Sequence, residues 1–371
     1  MKRIIAFYIS DAGGHNKAAE NIREAFEYKD PKVKVLKINA LGYFYPRGEK
    51  VVDFTYLAII KHFPQIWKTI YDRRDVIRSL TPVQKFFNKI AFRKLSKLIK
   101  DFRPDCFIAT QAFPCGVTGD FKEKFGCKIP LIAVVTDYYP HRFWIHDAIN
   151  KYTVASLEAK KLLVRQGVPE EKIKILGIPI SVKFLTSYPR KAIAHELGVS
   201  GSLPAVLLMG GGLGIGPIKK IAKELDRLPF NFQTIVICGR NKRLYKWFVR
   251  NKRKFKKAIY PFGYVEFVHK LMDFCDIIIT KPGGVTVSEA LSKGMAIVIT
   301  TPIPGQEERN VKYLLKKGVI VKGEESGSVS EAVSSFLSDK KKMYVYKERA
   351  KEISRIDSSL RIVDLILEEI V

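Results

Sequence analysis

One histidine stands in a turn where it could take up a proton. The apolar run Ile4 to Ile9 leads into Ser10-Asp11-Ala12-Gly13-Gly14-His15-Asn16, and residues 18–26 then have the pattern of a helix. Glycines allow a sharp backbone turn and the approach of a ligand to the helix N-terminus, whose free N–H groups favour negative charge. An imidazole with a pKa near ~6.5 accepts a proton at neutral pH, so His15 is a candidate general base. The alternative is a histidine that packs against or caps the helix.

A second glycine-rich turn has the composition of a diphosphate site. It follows the apolar run Ala205 to Leu208 and reads Met209-Gly210-Gly211-Gly212-Leu213-Gly214-Ile215-Gly216-Pro217. Successive backbone N–H groups in such a turn can surround phosphate oxygens. The Gly-Lys-Ser/Thr of a P-loop is missing, which disfavours a P-loop nucleoside triphosphatase, and the first turn lacks the G-x-G-x-x-G spacing of a dinucleotide site. The alternative is a tight connection that binds no ligand.

A third turn combines glycines with a carboxylate. The apolar run Ile277 to Ile279 leads into Thr280-Lys281-Pro282-Gly283-Gly284 and then into a helix that contains Glu289. A carboxylate at this edge of a sheet can accept hydrogen bonds from both hydroxyls of a ribose. Gln306 and Glu307 follow the proline-stiffened stretch 302–305, where they could hold the hydroxyls of a sugar. The alternatives are a capped helix and an ordinary polar loop, because acidic residues are common near helix N-termini.

The residues of the three turns depend for their positions on the elements around them. These elements are short apolar runs that alternate with turns and helical stretches. This alternation is typical of βαβ units and predicts an α/β protein with two doubly wound, parallel sheets. The predicted strands are Ile4 to Ile9, Val33 to Ile38, Cys106 to Ala109, Leu131 to Val135 and Tyr152 to Ala155, then residues 205–209, 234–238, 277–279 and 296–299. The breakers in Leu176-Gly177-Ile178-Pro179-Ile180 indicate a linker. We therefore predict domains at residues 1–180 and 181–345, with residues 346–371 as a C-terminal helix that could cross back to the first domain.

Composition limits the class of protein. The chain has 371 residues, too many for one small domain, and its 47% hydrophobic and 27% charged residues are typical of a folded, water-soluble protein. Five separated cysteines without C-x-x-C spacing predict reduced core thiols and no zinc site. No uncharged apolar run approaches the ~20 residues of a membrane-spanning helix. The net charge of +28 predicts a polyanionic partner: nucleic acid, an anionic membrane surface or a phosphorylated ligand.

The three turns, in this order and spacing, resemble a known family. They are similar to glycosyltransferases of the two-Rossmann-domain (GT-B) architecture, in particular the monogalactosyldiacylglycerol synthases and processive diacylglycerol glucosyltransferases, and more distantly the peptidoglycan N-acetylglucosaminyltransferase. Val135-Thr136-Asp137-Tyr138 with His141 and Trp144 resembles the T-D-x-x-x-H-x-x-W of the glycolipid branch, and Pro304-Gly305-Gln306-Glu307 with Asn310 resembles its P-G-Q-E-x-x-N. The resemblance implies two Rossmann-like domains that face each other across a cleft, the first binding the acceptor and the membrane and the second binding a UDP-sugar.

The resemblance also implies functions for individual residues. His15 is the implied catalytic base, and Asp137 either orients His15 or contacts the acceptor. The residues expected at the nucleotide sugar are Gly211, Gly212 and Gly214 at the diphosphate, Phe262, Gly263 and Tyr264 at the uracil, Glu289 at the ribose, Gln306 and Glu307 at the sugar, and Arg240, Lys281, Gly283 and Gly284 nearby. The residues expected at the acceptor or the membrane are Gly14, Phe63, Trp67, Arg73, Arg74, His141 and Trp144.

The implied reaction moves a hexose, glucose or galactose, from a UDP-sugar to diacylglycerol with inversion. The acceptor hydroxyl attacks the anomeric carbon opposite the departing UDP while one base takes its proton. No D-x-D motif is present, so we expect backbone N–H groups and basic side chains to stabilise the leaving group without a metal. The UDP-sugar is a substrate, and no cofactor is expected. Transfer of N-acetylglucosamine to a polyprenyl-linked peptidoglycan precursor and a UDP-sugar 2-epimerase are the alternatives.

Two basic segments are candidates for a membrane-binding surface. Residues 61–100 contain eleven lysines and arginines and two aspartates, with aromatic residues such as Phe63 and Trp67 among them. Cations beside aromatic side chains suit anionic headgroups, so we expect peripheral attachment from the cytoplasm to the inner face of the cell membrane. Residues 240–257 contain ten basic residues and no acidic one. A second membrane surface would explain them, as would nucleic-acid binding, the non-enzyme alternative, which is disfavoured because no recognised nucleic-acid module accompanies the segment.

Overall fold

The chain forms two α/β units. A computed structural model describes residues 1–11, 13–46, 81–300, 306–323 and 326–370. Unit 1 comprises Met1–Val182, Ile303–Arg309 and Asp357–Val371, and unit 2 comprises Lys183–Pro302 and Asn310–Ile356. Each unit contains one six-stranded sheet in which every neighbouring pair of strands is parallel. This confirms the prediction of two Rossmann-like α/β folds.

The elements follow one another in regular alternation. The first part of unit 1 holds strands β1 Arg3–Tyr8, β2 Lys34–Asn39, β3 Cys106–Ala109, β4 Leu131–Val134, β5 Lys151–Val154 and β6 Ile173–Ile175, with helices α1 Gly14–Lys29, α2 Ala40–Phe44, α3 Thr81–Phe102, α4 Ala112–Phe125 and α5 Leu157–Arg165. Unit 2 holds strands β7 Ala205–Met209, β8 Gln233–Ile237, β9 Ile259–Phe262, β10 Ile277–Thr280, β11 Ala296–Ile299 and β12 Ile320–Lys322. Its helices are α6 Arg190–Leu197, α7 Ile218–Asp226, α8 Lys242–Asn251, α9 Val268–Phe274, α10 Gly284–Ser292, α11 Gln306–Lys316, α12 Ser326–Ser338 and α13 Lys340–Ile353. The first residues of α11 belong to unit 1. The last helix, α14 Ser358–Glu369, belongs to unit 1.

The sheet of unit 1, in the order β2-β1-β3-β4-β5-β6, is covered on both faces. In β1, Ile5 and Phe7 pack with residues of α3 and α4, while Ile4 and Ala6 pack with residues of α1 and α14. Successive side chains of a strand point to opposite faces, so a strand buried on both faces reads as a continuous apolar run. This explains why the apolar runs predict the inner strands well.

The C-terminal residues form two helices where the sequence predicts one. Helix α13 ends at Ile353 and α14 begins at Ser358, so the single helix predicted over residues 346–371 is wrong. Helix α14 packs against α1 within unit 1, and the Ser358 hydroxyl donates to the Ile178 carbonyl at 2.9 Å. An ion pair between Lys29 and Asp364 joins the same two helices.

The sheet of unit 2 has the order β12-β11-β10-β7-β8-β9, and one of its faces is covered by α7, α8 and α12. Three of the four edge strands of the two sheets, β6, β9 and β12, have no counterpart among the predicted strands. They contain three or four residues and only the first residue of each is buried, so they do not form the fully buried apolar runs that mark the inner strands. No helix within the described residues is long and apolar enough to cross a membrane. The five cysteines are unpaired, four of them buried and Cys127 half-buried.

Candidate active site

His15 lies where the sheet of unit 1 reverses its strand order. The chain passes from β1 outward to β2 and then returns to β3 on the other side of β1. Ligands of open α/β sheets bind outside the carboxyl ends of the strands at such a switch point. His15 is the second residue of α1 and follows β1, whereas Thr110 follows β3, so the two residues flank the switch point. No side chain caps the N-terminus of α1 at Gly13.

The hydrogen bonds of His15 determine which of its ring nitrogens carries the proton. Nδ1 lies 2.9 Å from the Thr110 carbonyl oxygen and 2.9 Å from the Thr136 hydroxyl oxygen. A carbonyl oxygen only accepts, so Nδ1 of the neutral ring is the donor and Nε2 is the nitrogen with an unshared electron pair. The Thr110 hydroxyl in turn donates to the His15 carbonyl at 2.9 Å, which fixes the backbone that carries the ring.

Burial keeps His15 in its neutral form at pH 7. Burial lowers the pKa of His15 below its usual 6.5, and the charge of Asp137 and the hydrogen bond to Thr110 oppose this shift without reversing it. The pKa of His141 falls to about 3, chiefly because of burial and also because of the charges of His15 and Arg309. An uncharged imidazole with a bare Nε2 can accept a proton, which is the chemistry a general base requires.

The segment after β4 carries the other polar groups of unit 1 near His15. Thr136, Asp137 and His141 are buried there, and the Arg309 guanidinium lies over the Tyr139 ring at 5.2 Å from its centre. The indole of Trp144, in contrast, is 0% exposed and belongs to the core packed against α4. Trp144 ends the short helical turn Arg142–Trp144, and its function as an acceptor or membrane contact stays a prediction.

In unit 2, the backbone of the glycine-rich turn after β7 packs closely against the backbone of the turn after β8. Gly214 has a φ of +58°, and a Cβ atom there would lie 2.1 Å from the Cys238 carbonyl oxygen. Gly239 has a φ of +55°, and its Cβ would lie 2.4 Å from the Gly212 carbonyl oxygen. Only glycine fits either position, since L-residues avoid this backbone region and have no room for a side chain. The Arg240 amide also donates to the Gly212 carbonyl at 2.9 Å, so the turns after β7 and β8 form one structure.

Open space and basic groups adjoin this pair of turns. The sheet of unit 2 reverses its strand order between β7 and β10, so the turns 210–217 and 281–283 flank its switch point. The Lys281 Cε atom lies 3.8 Å from the position of a Cβ on Gly211, and the Arg240 guanidinium lies 5.5 Å from the centre of the Tyr264 ring. Cβ atoms added to Gly263 or Gly283 would meet nothing within 4 Å. These glycines therefore leave room for a ligand.

Glu289 occupies the second turn of α10 and is 6% exposed. Capping involves the first turn of a helix, which contains no acidic residue here, so the capping alternative for Glu289 is wrong. No side chain caps α10 at Gly283, and Gly284 is its first residue. Helix α10 thus has both a buried carboxylate, Glu289, and an N-terminus whose N–H groups no side chain caps.

The structure groups some predicted residues and leaves others undescribed. Gly14, His15, Asp137 and His141 belong to unit 1, and Glu307, half-buried in the first turn of α11, is grouped with them. The predicted donor residues that unit 2 brings to the carboxyl edge of its sheet are Gly211, Gly212, Gly214, Arg240, Phe262, Gly263, Tyr264, Lys281, Gly283 and Gly284. Phe63, Trp67, Arg73, Arg74 and the Gln306 side chain lie outside the described residues.

Two residues beside His15 and one beside His141 have no function assigned by the sequence prediction. Thr110 and Thr136 bind the ring of His15, and Arg309 contributes positive charge to His141. Both threonines are polar residues that follow an apolar strand at its carboxyl end. That position is the feature of the sequence from which their contact with His15 could have been predicted. Among the described residues no cluster of three or more His, Cys, Asp or Glu side chains could hold a metal ion. Metal independence stays a prediction.

Comparison with known proteins finds a family match in each half of the chain. Residues 15–180 match the family described as Monogalactosyldiacylglycerol (MGDG) synthase, and residues 218–353 match Glycosyl transferases group 1. The chain is also 29% identical over 357 residues to proteins named processive diacylglycerol beta-glucosyltransferase from Bacillus cytotoxicus and Bacillus thuringiensis. Each alignment covers 96% of this chain and 91% of the relative.

Solved structures share the fold at low sequence identity. MurG of Acinetobacter baumannii superposes with a TM-score of 0.63 at 15% identity, covering 99% of this chain and 100% of MurG. Anabaena Alr3699/HepE, solved in complex with UDP-glucose, gives a TM-score of 0.59 at 13% identity, with coverage of 99% and 100%. The UDP-GlcNAc 2-epimerase of Neisseria meningitidis gives 0.62 at 14% identity, again with coverage of 99% and 100%. The chain therefore has the two-Rossmann-domain fold of the GT-B glycosyltransferases, matches a glycosyltransferase family model in its second half and the MGDG synthase model in its first, and is similar over nearly its whole length to the processive diacylglycerol beta-glucosyltransferases.

Proposed function

We propose that this chain transfers a hexose, glucose or galactose, from a UDP-sugar to diacylglycerol with inversion at the anomeric carbon. The observation that carries the proposal is the likeness to the processive diacylglycerol beta-glucosyltransferases over 96% of the chain. The proposal assigns acceptor chemistry to unit 1 and donor binding to unit 2.

In unit 1, the proposed base is Nε2 of His15. The acceptor hydroxyl gives its proton to Nε2 as its oxygen bonds to the anomeric carbon, and the bond from that carbon to the UDP oxygen breaks with its electron pair on UDP. Nδ1 keeps its proton on the Thr110 carbonyl, so the ring becomes a cation that the nearby charge of Asp137 stabilises. A base in this position contributes about 10²- to 10⁴-fold to a rate.

In unit 2, the proposed donor site is the carboxyl edge of the sheet. The turns at Gly211 and Gly283 expose backbone N–H groups that suit a diphosphate, and the Lys281 ammonium beside Gly211 adds positive charge. The buried Glu289 carboxylate is the proposed partner of the ribose hydroxyls. Tyr264 is 56% exposed, and the Arg240 guanidinium lies over one part of its ring. We place the uracil next to this tyrosine.

The test is a product assay with the purified protein. Radiolabelled UDP-glucose, UDP-galactose and UDP-N-acetylglucosamine are each supplied with vesicles that contain diacylglycerol, and the lipid extract is analysed for label and anomeric configuration, with and without EDTA. We expect a β-hexosyl diacylglycerol from one of the first two donors, with undiminished yield in EDTA. Label only in a polyprenyl-linked product, or conversion of the donor to its 2-epimer without lipid product, would replace the proposal by the corresponding alternative.

A further inference from the structure

We propose that one face of unit 2 is a docking surface for an anionic lipid bilayer. The face is formed by α7, α8 and the short helix Lys252–Lys254, and we refer to it as the α7–α8 basic face. Its exposed cations are Lys219, Lys220, Lys223, Lys242, Arg243, Lys246, Arg250, Lys252, Arg253 and Lys254. The inference deepens the proposed function, on which it rests for the presence of a membrane near the enzyme.

No residue that the structure describes neutralises the charge on this face. Residues 240–257 include no acidic side chain, and none of the ten cations forms an ion pair with another described residue. The two nearest acids on α7 are engaged elsewhere: Glu224 pairs with Arg227, and Asp226 accepts from the Lys256 and Lys257 amides. The face therefore keeps its full positive charge for a partner.

Four of the cations lie at helix N-termini, where positive charge is unfavourable. Lys219 and Lys220 lie in the first turn of α7, Lys242 and Arg243 lie in the first turn of α8, and neither first turn contains an acidic residue. The helix dipole disfavours positive charge at a helix N-terminus, and neighbouring like charges repel one another. Cations that oppose folding at two adjacent helices indicate a partner that compensates this cost.

The extent of the face exceeds what the donor needs. Helix α8 has ten residues and is about 15 Å long at 1.5 Å per residue, and the cations continue past its end to Lys254. The diphosphate proposed for the glycine turns would lie at the N-terminal end of α8, next to Arg240. A row of charge that runs the full length of the helix matches an extended anionic surface better than a single nucleotide.

The aromatic residues of the face favour a bilayer over nucleic acid. Single-stranded nucleic acid is held by aromatic rings on which bases stack. Trp247 offers no open ring for this, because the Lys219 and Lys223 ammonium groups lie 4.9 and 5.7 Å from its ring centre. Tyr245 and Val249, one helical turn apart on α8, are exposed beside the cations and are suited to the interfacial region of a membrane.

The test is vesicle binding by matched variants of the full chain. In the face variant, Arg250, Lys252, Arg253 and Lys254, at the end of α8 remote from the glycine turns, are replaced by glutamine. In the control variant, glutamine replaces four other exposed cations of unit 2, Lys191, Lys312, Lys340 and Lys341, so the change in net charge is identical. Flotation is measured with vesicles of phosphatidylcholine alone or with about one-third phosphatidylglycerol, and circular dichroism checks that both variants fold.

We expect wild type and control variant to float with the phosphatidylglycerol vesicles, and the partition coefficient of the face variant to fall at least tenfold. A basic residue near an anionic surface contributes about 1 kcal/mol to binding, or about fivefold in the partition coefficient. The loss of four such residues should therefore exceed the tenfold threshold. Equal flotation of face variant and wild type, or binding of duplex DNA without flotation, would overturn the docking surface. Hexosyl transfer to detergent-dispersed diacylglycerol, measured on the same samples, tests the proposed function separately. Flotation without transfer would reject that function and support the surface.

Discussion

Replacement of Thr136 by valine tests whether the hydrogen bonds at Nδ1 of His15 position the base. Valine has the shape of threonine but cannot accept the Nδ1 proton, so the ring keeps only the Thr110 carbonyl, 2.9 Å away, as its acceptor. A buried hydrogen bond contributes about 0.5–1.5 kcal/mol, which corresponds to about a two- to twelvefold decrease in kcat. The donor KM should not change, because Thr136 is in unit 1 and the donor is assigned to unit 2.

The matched control is Thr136→Ser, which keeps the hydroxyl and should restore at least half of the lost kcat. The assay is the steady-state rate of hexosyl transfer over a series of UDP-sugar concentrations, with each variant checked by thermal unfolding. A Thr136→Val enzyme with the kcat of wild type would refute the positioning argument. So would a serine variant as slow as the valine variant, because the methyl group and not the hydroxyl would then be responsible.

Three further predictions concern the charge and space of the two units. Asp137→Asn removes a charge that raises the pKa of His15, so the acid limb of the pH–rate profile, already below pH 6.5, should move to lower pH; a shift to higher pH would contradict this. Gly283→Ala puts a methyl group where no protein atom lies within 4 Å, so the melting temperature should stay unchanged while UDP binding, measured by calorimetry, weakens at least tenfold. Unchanged UDP affinity would mean that no ligand occupies that space. Glu289→Ala should weaken UDP binding more than deoxyuridine diphosphate binding, and equal losses would remove the ribose role.

The sequence predicts the inner strands and the turns because those parts depend on local chemistry. A strand buried on both faces needs a continuous apolar run, and β1, β3 and β4 have one. The edge strands β6 and β12 bury only their first residue completely, so pairing with a neighbour and not their own composition makes them strands. That pairing is a tertiary property, which the pattern of residues along the chain does not express.

The candidate site also combines residues that local sequence predicts with residues that only the tertiary structure reveals. His15 and Glu289 stand out in the sequence because each is a chemically active residue beside a glycine turn. Thr110 is not distinctive in the sequence, since its contribution is a backbone carbonyl that any residue would supply. The burial of Trp144 in the core of unit 1 is likewise not expressed by the motif in which it stands, because burial depends on the packing of distant elements.

The most direct test of the account compares sugar transfer by the wild type and by His15→Ala under identical conditions. Both proteins, with donor saturating for each, receive radiolabelled UDP-hexose and diacylglycerol vesicles, and the rate at which label enters the lipid is measured. We expect a labelled β-hexosyl diacylglycerol from the wild type and a rate about 10²- to 10⁴-fold lower from His15→Ala. A variant that transfers sugar at nearly the wild-type rate, or a wild type that forms no labelled glycolipid, would contradict it.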